Sequence, residues 1–219
     1  MEKVKAFIVN RNLLTTLTNT VEFLKKESRV DIIIFDQQST YPPLLDYYKN
    51  SGVSVVFSND NDGPYNVWKG QLNPYFNDSP YIVTDSDCLY DTVPDDWFDK
   101  MLEALNNNPV LKVGFSLEIN DLPDTYMGNS ARGWETGYWH SKNQYGWQSP
   151  IDTTFALYKP HSSHDINPAI RLDRPYCIKH VPWYLTKENI TEEWLYYLEH
   201  ASSASSWGSK LKRLIENEQ

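Results

Sequence analysis

Cysteine is nearly absent: the 219 residues hold two, Cys88 and Cys177. Two isolated cysteines build neither a disulfide scaffold nor a zinc cluster. Glycine is sparse too, at nine residues, and the stretch after the first apolar segment, Asn10-Arg11-Asn12-Leu13, has none. That argues against a glycine-rich phosphate loop, and so against sugar-nucleotide pyrophosphorylase chemistry. Basic residues are outnumbered, 20 Lys and Arg against 29 Asp and Glu, for a net charge of −9. A duplex needs a basic footprint, so no nucleic-acid partner is expected. An acidic protein can still bind a nucleotide diphosphate when a metal ion supplies the positive charge. No apolar run reaches membrane-spanning length, and the apolar stretch after Met1-Glu2-Lys3 is too brief for a signal peptide. A cytoplasmic protein is the expectation.

What is abundant is aromatic: 8 Trp and 15 Tyr help bring the aromatic share to 14%. Such rings fill cores, and they also pack on the apolar face of a pyranose. Length predicts a single domain over 1–219. The first half alternates short apolar runs with helical spacing. Strands are predicted at Val4–Val9, Ile32–Phe35, Val53–Phe57 and Tyr81–Thr84. Helices are predicted at Leu13–Lys26, Pro43–Asn50, from Pro64, and at Pro94–Asn106. This pattern means βαβ units and a mostly parallel sheet flanked by helices, an α/β class. Ligands of such sheets bind beyond the carboxyl ends of the strands. Here those ends are polar each time: Asn10-Arg11-Asn12, Asp36-Gln37-Gln38, Asp60-Asn61-Asp62 and Asp85-Ser86-Asp87.

The second half is less regular. Strands are expected at Lys112–Leu117, Thr153–Tyr158 and Tyr176–Lys179. Asp121–Gly133 reads as a polar loop, Trp134–Trp139 as a short helix and Glu192–Ile215 as a long terminal helix. The helix's apolar stripe, with Lys210, Lys212 and Arg213 near its end, packs on its own domain or touches a membrane surface peripherally. His161 and His164 lack partners at zinc-site spacing and read as a polar turn.

Asp85-Ser86-Asp87 is the central chemical signal. Two carboxylates just past a buried strand can turn toward one hard cation, and Mn²⁺ or Mg²⁺ takes such oxygens together with diphosphate oxygens. Asp60-Asn61-Asp62 has the same spacing, but it precedes Gly63-Pro64 and reads as a turn into a helix. A transfer to an acceptor hydroxyl can use a further carboxylate to take its proton. Asp121, Glu135 and Asp152 lie after the acidic pair and are the candidates. Asp152 adjoins two threonines at a strand start, and Glu135 sits among Trp134, Tyr138 and Trp139. The plain alternatives are a strand-end cap for Asp152 and a first-turn helix charge for Glu135.

The run Tyr81-Ile82-Val83-Thr84-Asp85-Ser86-Asp87, then Val113–Leu117, Asp121–Asp124, Trp134-Glu135, Ile151–Tyr158 and His180–Tyr184, resembles bacterial and viral GT-A glycosyltransferases related to family 2. The resemblance spans nearly the whole chain. It implies a GT-A, Rossmann-like fold with a C-terminal helix. It divides the chain into a nucleotide-sugar half (1–110), an acceptor half (111–190) and the terminal helix (191–219). It also implies donor contacts from Asn10, Arg11, Asp36, Gly63, Trp68, Asp85, Ser86 and Asp87. Asp85, Asp87 and His180 would hold the metal. Asp121, Trp134 and Trp139 would meet the acceptor, with Asp152 or Glu135 in the catalytic role. Arg11 as a solvated charge, Asp36 as a turn residue, Trp68 as core and His180 as structural remain the alternatives. The expected partners are a nucleotide-sugar, a UDP-sugar favoured, and a glycan, lipid-linked or protein-linked acceptor. A catalytically silent sugar- or nucleotide-binding domain is the competing reading. The Glu-Asp pair on a late helix, usual in family 2, is not found in its expected place.

Overall fold

The computed structural model describes residues 3–69, 72–76, 79–201 and 211. Strand β1 (Val4–Asn10) leads into helix α1 (Thr15–Lys25), then β2 (Val30–Asp36), α2 (Pro42–Asn50) and β3 (Ser54–Phe57). Two 3-10 turns, Pro64–Trp68 and Asn73–Phe76, precede β4 (Tyr81–Asp85), β5 (Cys88–Leu89), α3 (Trp97–Asn107) and β6 (Lys112–Leu117). Then come α4 (Tyr126–Glu135), β7 (Gly146–Gln148), β8 (Phe155–Tyr158), β9 (Ala169–His180) and α5 (Glu192–Glu199).

Among the described residues, nine strands join one mixed, mostly parallel sheet in the order β3-β2-β1-β4-β8-β6-β9-β5, with β7 paired to β9. The parallel set β3-β2-β1-β4 follows from the βαβ units. Strand β8 runs antiparallel to both β4 and β6. Side-chain alternation divides the core in two. Ala6 and Ile8 of β1 face α1, α3 and their neighbours, while Phe7 and Val9 face the 3-10 turns. On the helical side, Phe23 stacks on Tyr90 at 4.2 Å, and Trp97, Phe115 and Phe155 complete the cluster. Each such pair adds about 0.5–1.5 kcal/mol beyond area burial. Gly114 is forced by the β6–β8 pairing: a Cβ there would meet the Phe155 carbonyl oxygen at 2.1 Å.

The predicted elements of the first half recur with small shifts at their ends. Helix α3 begins at Trp97, so Asp95 and Asp96 precede it. The segment from Pro64 is a 3-10 turn rather than an α-helix. The second half holds the corrections. Asp121–Gly133 is not a loop throughout: Thr125 caps α4, its Oγ1 accepting from Gly128 N at 3.0 Å, and the helix runs on to Glu135. Trp134–Trp139 is therefore the end of α4 followed by a 3-10 turn at Thr136–Tyr138. The short final strand is the end of a 12-residue strand, β9, which shifts register against β6 between Phe115 and Ser116. Of the terminal helix, α5 ends at Glu199. The predicted positions Trp207, Lys210, Lys212, Arg213 and Leu214 lie outside the described residues. Among those described, no helix is long and apolar enough to cross a membrane.

Candidate active site

A cleft of roughly 380 Å³ opens at the carboxyl ends of β1 and β4. Sheet register brings its groups together. Parallel pairing of β1 with β2 and β4 sets Asn10 beside Asp36 and leads it up to Ser86. Antiparallel pairing of β4 with β8 carries Thr153 to Asp85, whose carboxylate accepts from Thr153 Oγ1 at 2.8 Å. Pairing of β5 with β9 sets His180 opposite Cys88, and His180 Nε2 reaches Asp87 Oδ2 at 3.3 Å. Gly63, in the left-handed region at φ 84°, turns the chain into the cleft wall just before Pro64.

The acidic pair is thus held from three sides. Ser86 Oγ donates to Asn10 Oδ1 at 2.6 Å. Asn10 Nδ2 donates to Tyr48 Oη, which in turn donates to Asp36 Oδ2, both at 2.8 Å. This chain of hydrogen bonds ties the tip of β4 to the tip of β2.

Electrostatics make the cleft unusual. Asp62, Asp85, Asp87 and Asp152 line it, and Arg11 and His180 are the cationic residues among its described lining. Burial, reinforced by the charges of Asp87 and Asp152, lifts the Asp85 carboxyl well above the usual carboxylate range. Burial alone would lower the His180 pKa. The charge and hydrogen bond of Asp87, with help from Asp152 and Asp85, raise it above the ordinary imidazole value instead. Arg11 is occupied by the chain itself: Nη1 donates to Gln37 O at 2.7 Å and Nη2 to His200 O at 3.1 Å. The N-terminus of α1 is occupied as well. Glu193 of α5 accepts from the Leu14 and Thr15 amides at 2.9 and 3.1 Å and from Thr15 Oγ1 at 2.8 Å. The cleft therefore gathers negative charge with both nearby anion-binding devices already used. A hard-oxygen set of this kind suits a divalent cation. Among the described residues no three His, Cys, Asp or Glu side chains converge as a closed coordination set. An ion here would keep positions open for other oxygens.

Of the residues singled out from the sequence, Asn10, Arg11, Gly63, Asp85, Ser86, Asp87, Asp152 and His180 all line this cleft. Asp152 is exposed in it, with Oδ1 accepting from the Thr154 amide at 3.0 Å and from the Thr154 hydroxyl. Others sit elsewhere. Asp36 is buried and spends its oxygens on Ser39 N and Tyr48 Oη. Trp68 packs on Tyr158 and donates from Nε1 to Tyr81 Oη at 3.0 Å. Glu135 is buried against Arg171, whose Nη1 lies 2.6 Å from Oε2. Asp121 joins Lys179 and Tyr184. Trp139 packs on Trp147 beneath the Arg174 guanidinium, while Trp134 stands exposed.

The structure adds Gln37, Tyr65, Thr153 and Tyr197 to the cleft. Tyr65 had a signal, an aromatic directly after Gly63-Pro64, and Thr153 followed Asp152 in a segment already of interest. Tyr197 had none, since only the tertiary docking of α5 brings it there.

No protein-family model and no curated protein matches the sequence. Solved structures do match. S. aureus TarS residues 1–349 superpose with a TM-score of 0.51 at 10% identity, covering 98% of this chain and 71% of that one. A longer S. aureus TarS structure superposes at 0.53 and 11% identity, covering 98% and 43%, so this chain spans less than half of it. A 4-diphosphocytidyl-2C-methyl-D-erythritol synthase from Anaerococcus prevotii DSM 20548 gives 0.39 at 12% identity over 73% and 69%. TarS is a glycosyltransferase of GT-A type, and at this identity the likeness is one of fold: the chain carries a GT-A-like α/β fold with an acidic cleft at the carboxyl ends of its parallel strands.

Proposed function

We propose that the protein is a metal-dependent glycosyltransferase that moves a sugar, a hexose or deoxyhexose, from a nucleotide-sugar to a glycan or glycoconjugate acceptor. One observation carries the reading: four carboxylates line a cleft whose helix N-terminus and arginine are already bound by the protein. Such a cleft repels a nucleoside diphosphate unless a divalent cation sits between them. Asp85 and Asp87 would hold Mn²⁺ or Mg²⁺, with diphosphate oxygens and water filling the other positions. When bound, the ion supplies positive charge to the leaving diphosphate.

The chain's own residues divide the remaining work. Thr153 fixes the orientation of Asp85, and His180 that of Asp87. The Ser86–Asn10–Tyr48–Asp36 chain keeps the loop from shifting when the donor enters. Asp152 exposes its carboxylate to the cleft with one oxygen held by Thr154, which leaves the other for an acceptor hydroxyl proton. Its position favours it over Glu135, whose carboxylate is already bound by Arg171. The wall formed by Tyr65, Gln37 and Arg11 suits the nucleoside, a UDP-sugar being the first to try.

Turnover of a nucleotide-sugar panel, with and without EDTA, tests the assignment. The expected outcome is metal-dependent release of nucleoside diphosphate. In Asp152→Asn, transfer should fall about 10²- to 10⁴-fold, the usual weight of a general base, with donor hydrolysis less affected. A silent binding domain would release no diphosphate in any condition.

A further inference from the structure

Helix α4 presents two large rings to solvent. Tyr126 is 67% exposed and Trp134 65%, while Met127, Gly128, Ala131 and Glu135 on the other side are buried. Helical spacing puts Tyr126, Asn129, Ser130, Gly133 and Trp134 on one face. The rings are eight residues apart, about 12 Å along the axis. Between them stand an amide, a hydroxyl and a glycine with nothing within 4 Å of where a Cβ would be.

The face continues toward the cleft. Trp134 meets the edge of Tyr138 with ring centroids 6.1 Å apart. The Tyr138 carbonyl accepts from Ser149 Oγ at 2.5 Å, and Ser149 opens the segment that reaches Asp152 in the cleft. Helix α4 also packs against the 3-10 turn Val181–Tyr184, which follows His180 directly.

We infer that this face of α4 is a docking track for an extended glycan, so that the acceptor is an oligosaccharide or polysaccharide rather than a single sugar. The inference rests on the transferase reading of the cleft. Flat aromatic faces separated by small hydrogen-bonding groups match a sugar chain, which alternates C–H faces with hydroxyls. The same face is poorly suited to a membrane surface. A membrane-binding helix needs a row of Lys or Arg, and the one cation of α4, Arg132, is engaged with Asp124, Asn129 and the Leu122 carbonyl. The track ends near Asp152, as an acceptor chain end must.

The test uses an array of linear oligosaccharides of two to eight residues, probed with the full chain, Trp134→Ala, Tyr126→Ala and the double variant. Both side chains are exposed, so the variants should fold, which circular dichroism verifies. Binding should tighten with chain length in the wild type. Each single variant should bind the longer chains about tenfold more weakly, a difference of about one stacked ring, with Tyr126→Ala sparing the shortest chains. Thermal stabilisation by UDP with Mn²⁺, measured on the same samples, should be unchanged. Length-independent binding, equal binding by the double variant, or no glycan bound would overturn the track. So would ring-dependent binding to anionic vesicles without glycan binding. Loss of UDP stabilisation in the wild type would instead strike the reading of the cleft.

Discussion

Two buried groups behind the cleft carry charge at an energetic cost. Glu135 and Arg171 meet at 2.6 Å with side chains 3% and 6% exposed. Burial pushes the Glu135 pKa up, and Arg171 only partly opposes this. Removing one partner leaves the other charge buried and alone, so Arg171→Met should cost about 3–5 kcal/mol. Combining it with Glu135→Leu should recover much of that loss. Urea unfolding of the three proteins checks the pattern, and equal losses in single and double variants would contradict it. Lys112 is the second group. Its Nζ lies 3.2 Å from Tyr158 Oη and 3.4 Å from the Asp152 carbonyl, and burial lowers its pKa to about 8. The folded protein releases this proton near pH 8, while the unfolded chain keeps it to about 10.5. Over that window the unfolded state binds more protons, so Lys112 makes stability rise with pH. Lys112→Met should remove this rise, read as the difference in melting temperature between the two proteins from pH 7 to 10. Arg171 and Lys112 explain a limit of the sequence reading: a charged residue in a strand looks like a surface position until its buried partner is known.

Among the elements, α5 is fastened most unexpectedly. Glu193 caps α1 across 179 positions, and Arg11 binds the carbonyl of His200 at the other end of α5. Helix α1 has no side-chain cap of its own, so it depends on this long-range contact. Glu193→Ala should cost about 1–2 kcal/mol, as the loss of a helix cap does. It should also speed amide exchange in both α1 and α5. Faster exchange confined to α5 would mean that the cap contributes little. Local pattern revealed β1–β4 and α1–α3 because each has one apolar face with a clear period. It missed α4, where glycines and an outward face of Tyr126, Asn129 and Ser130 leave Met127 and Ala131 as the main apolar signal. It shortened β9, because Arg171, Asp173, Arg174 and Pro175 interrupt the apolar run, and the register against β6 shifts across 173–176.

At the scale of the molecule, the sheet is an assembly device. Three separate pairings, β1 with β4, β4 with β8 and β5 with β9, bring side chains from four stretches of sequence to one mouth. The acidic pair and several neighbours were legible because they directly follow strands, where open α/β sheets gather ligands. The charge balance of the cleft was not. It arises because Asp62, Asp85, Asp87 and Asp152 face Arg11 and His180 as the cationic residues of the described lining, with Arg11 held by backbone carbonyls. That imbalance underlies the proposal of a bound divalent ion. Anomalous diffraction at the manganese edge, from crystals grown with Mn²⁺ and UDP, tests it most directly. The account predicts one strong peak between the Asp85 and Asp87 carboxylates and the diphosphate; UDP bound in the cleft with no manganese peak there would contradict it.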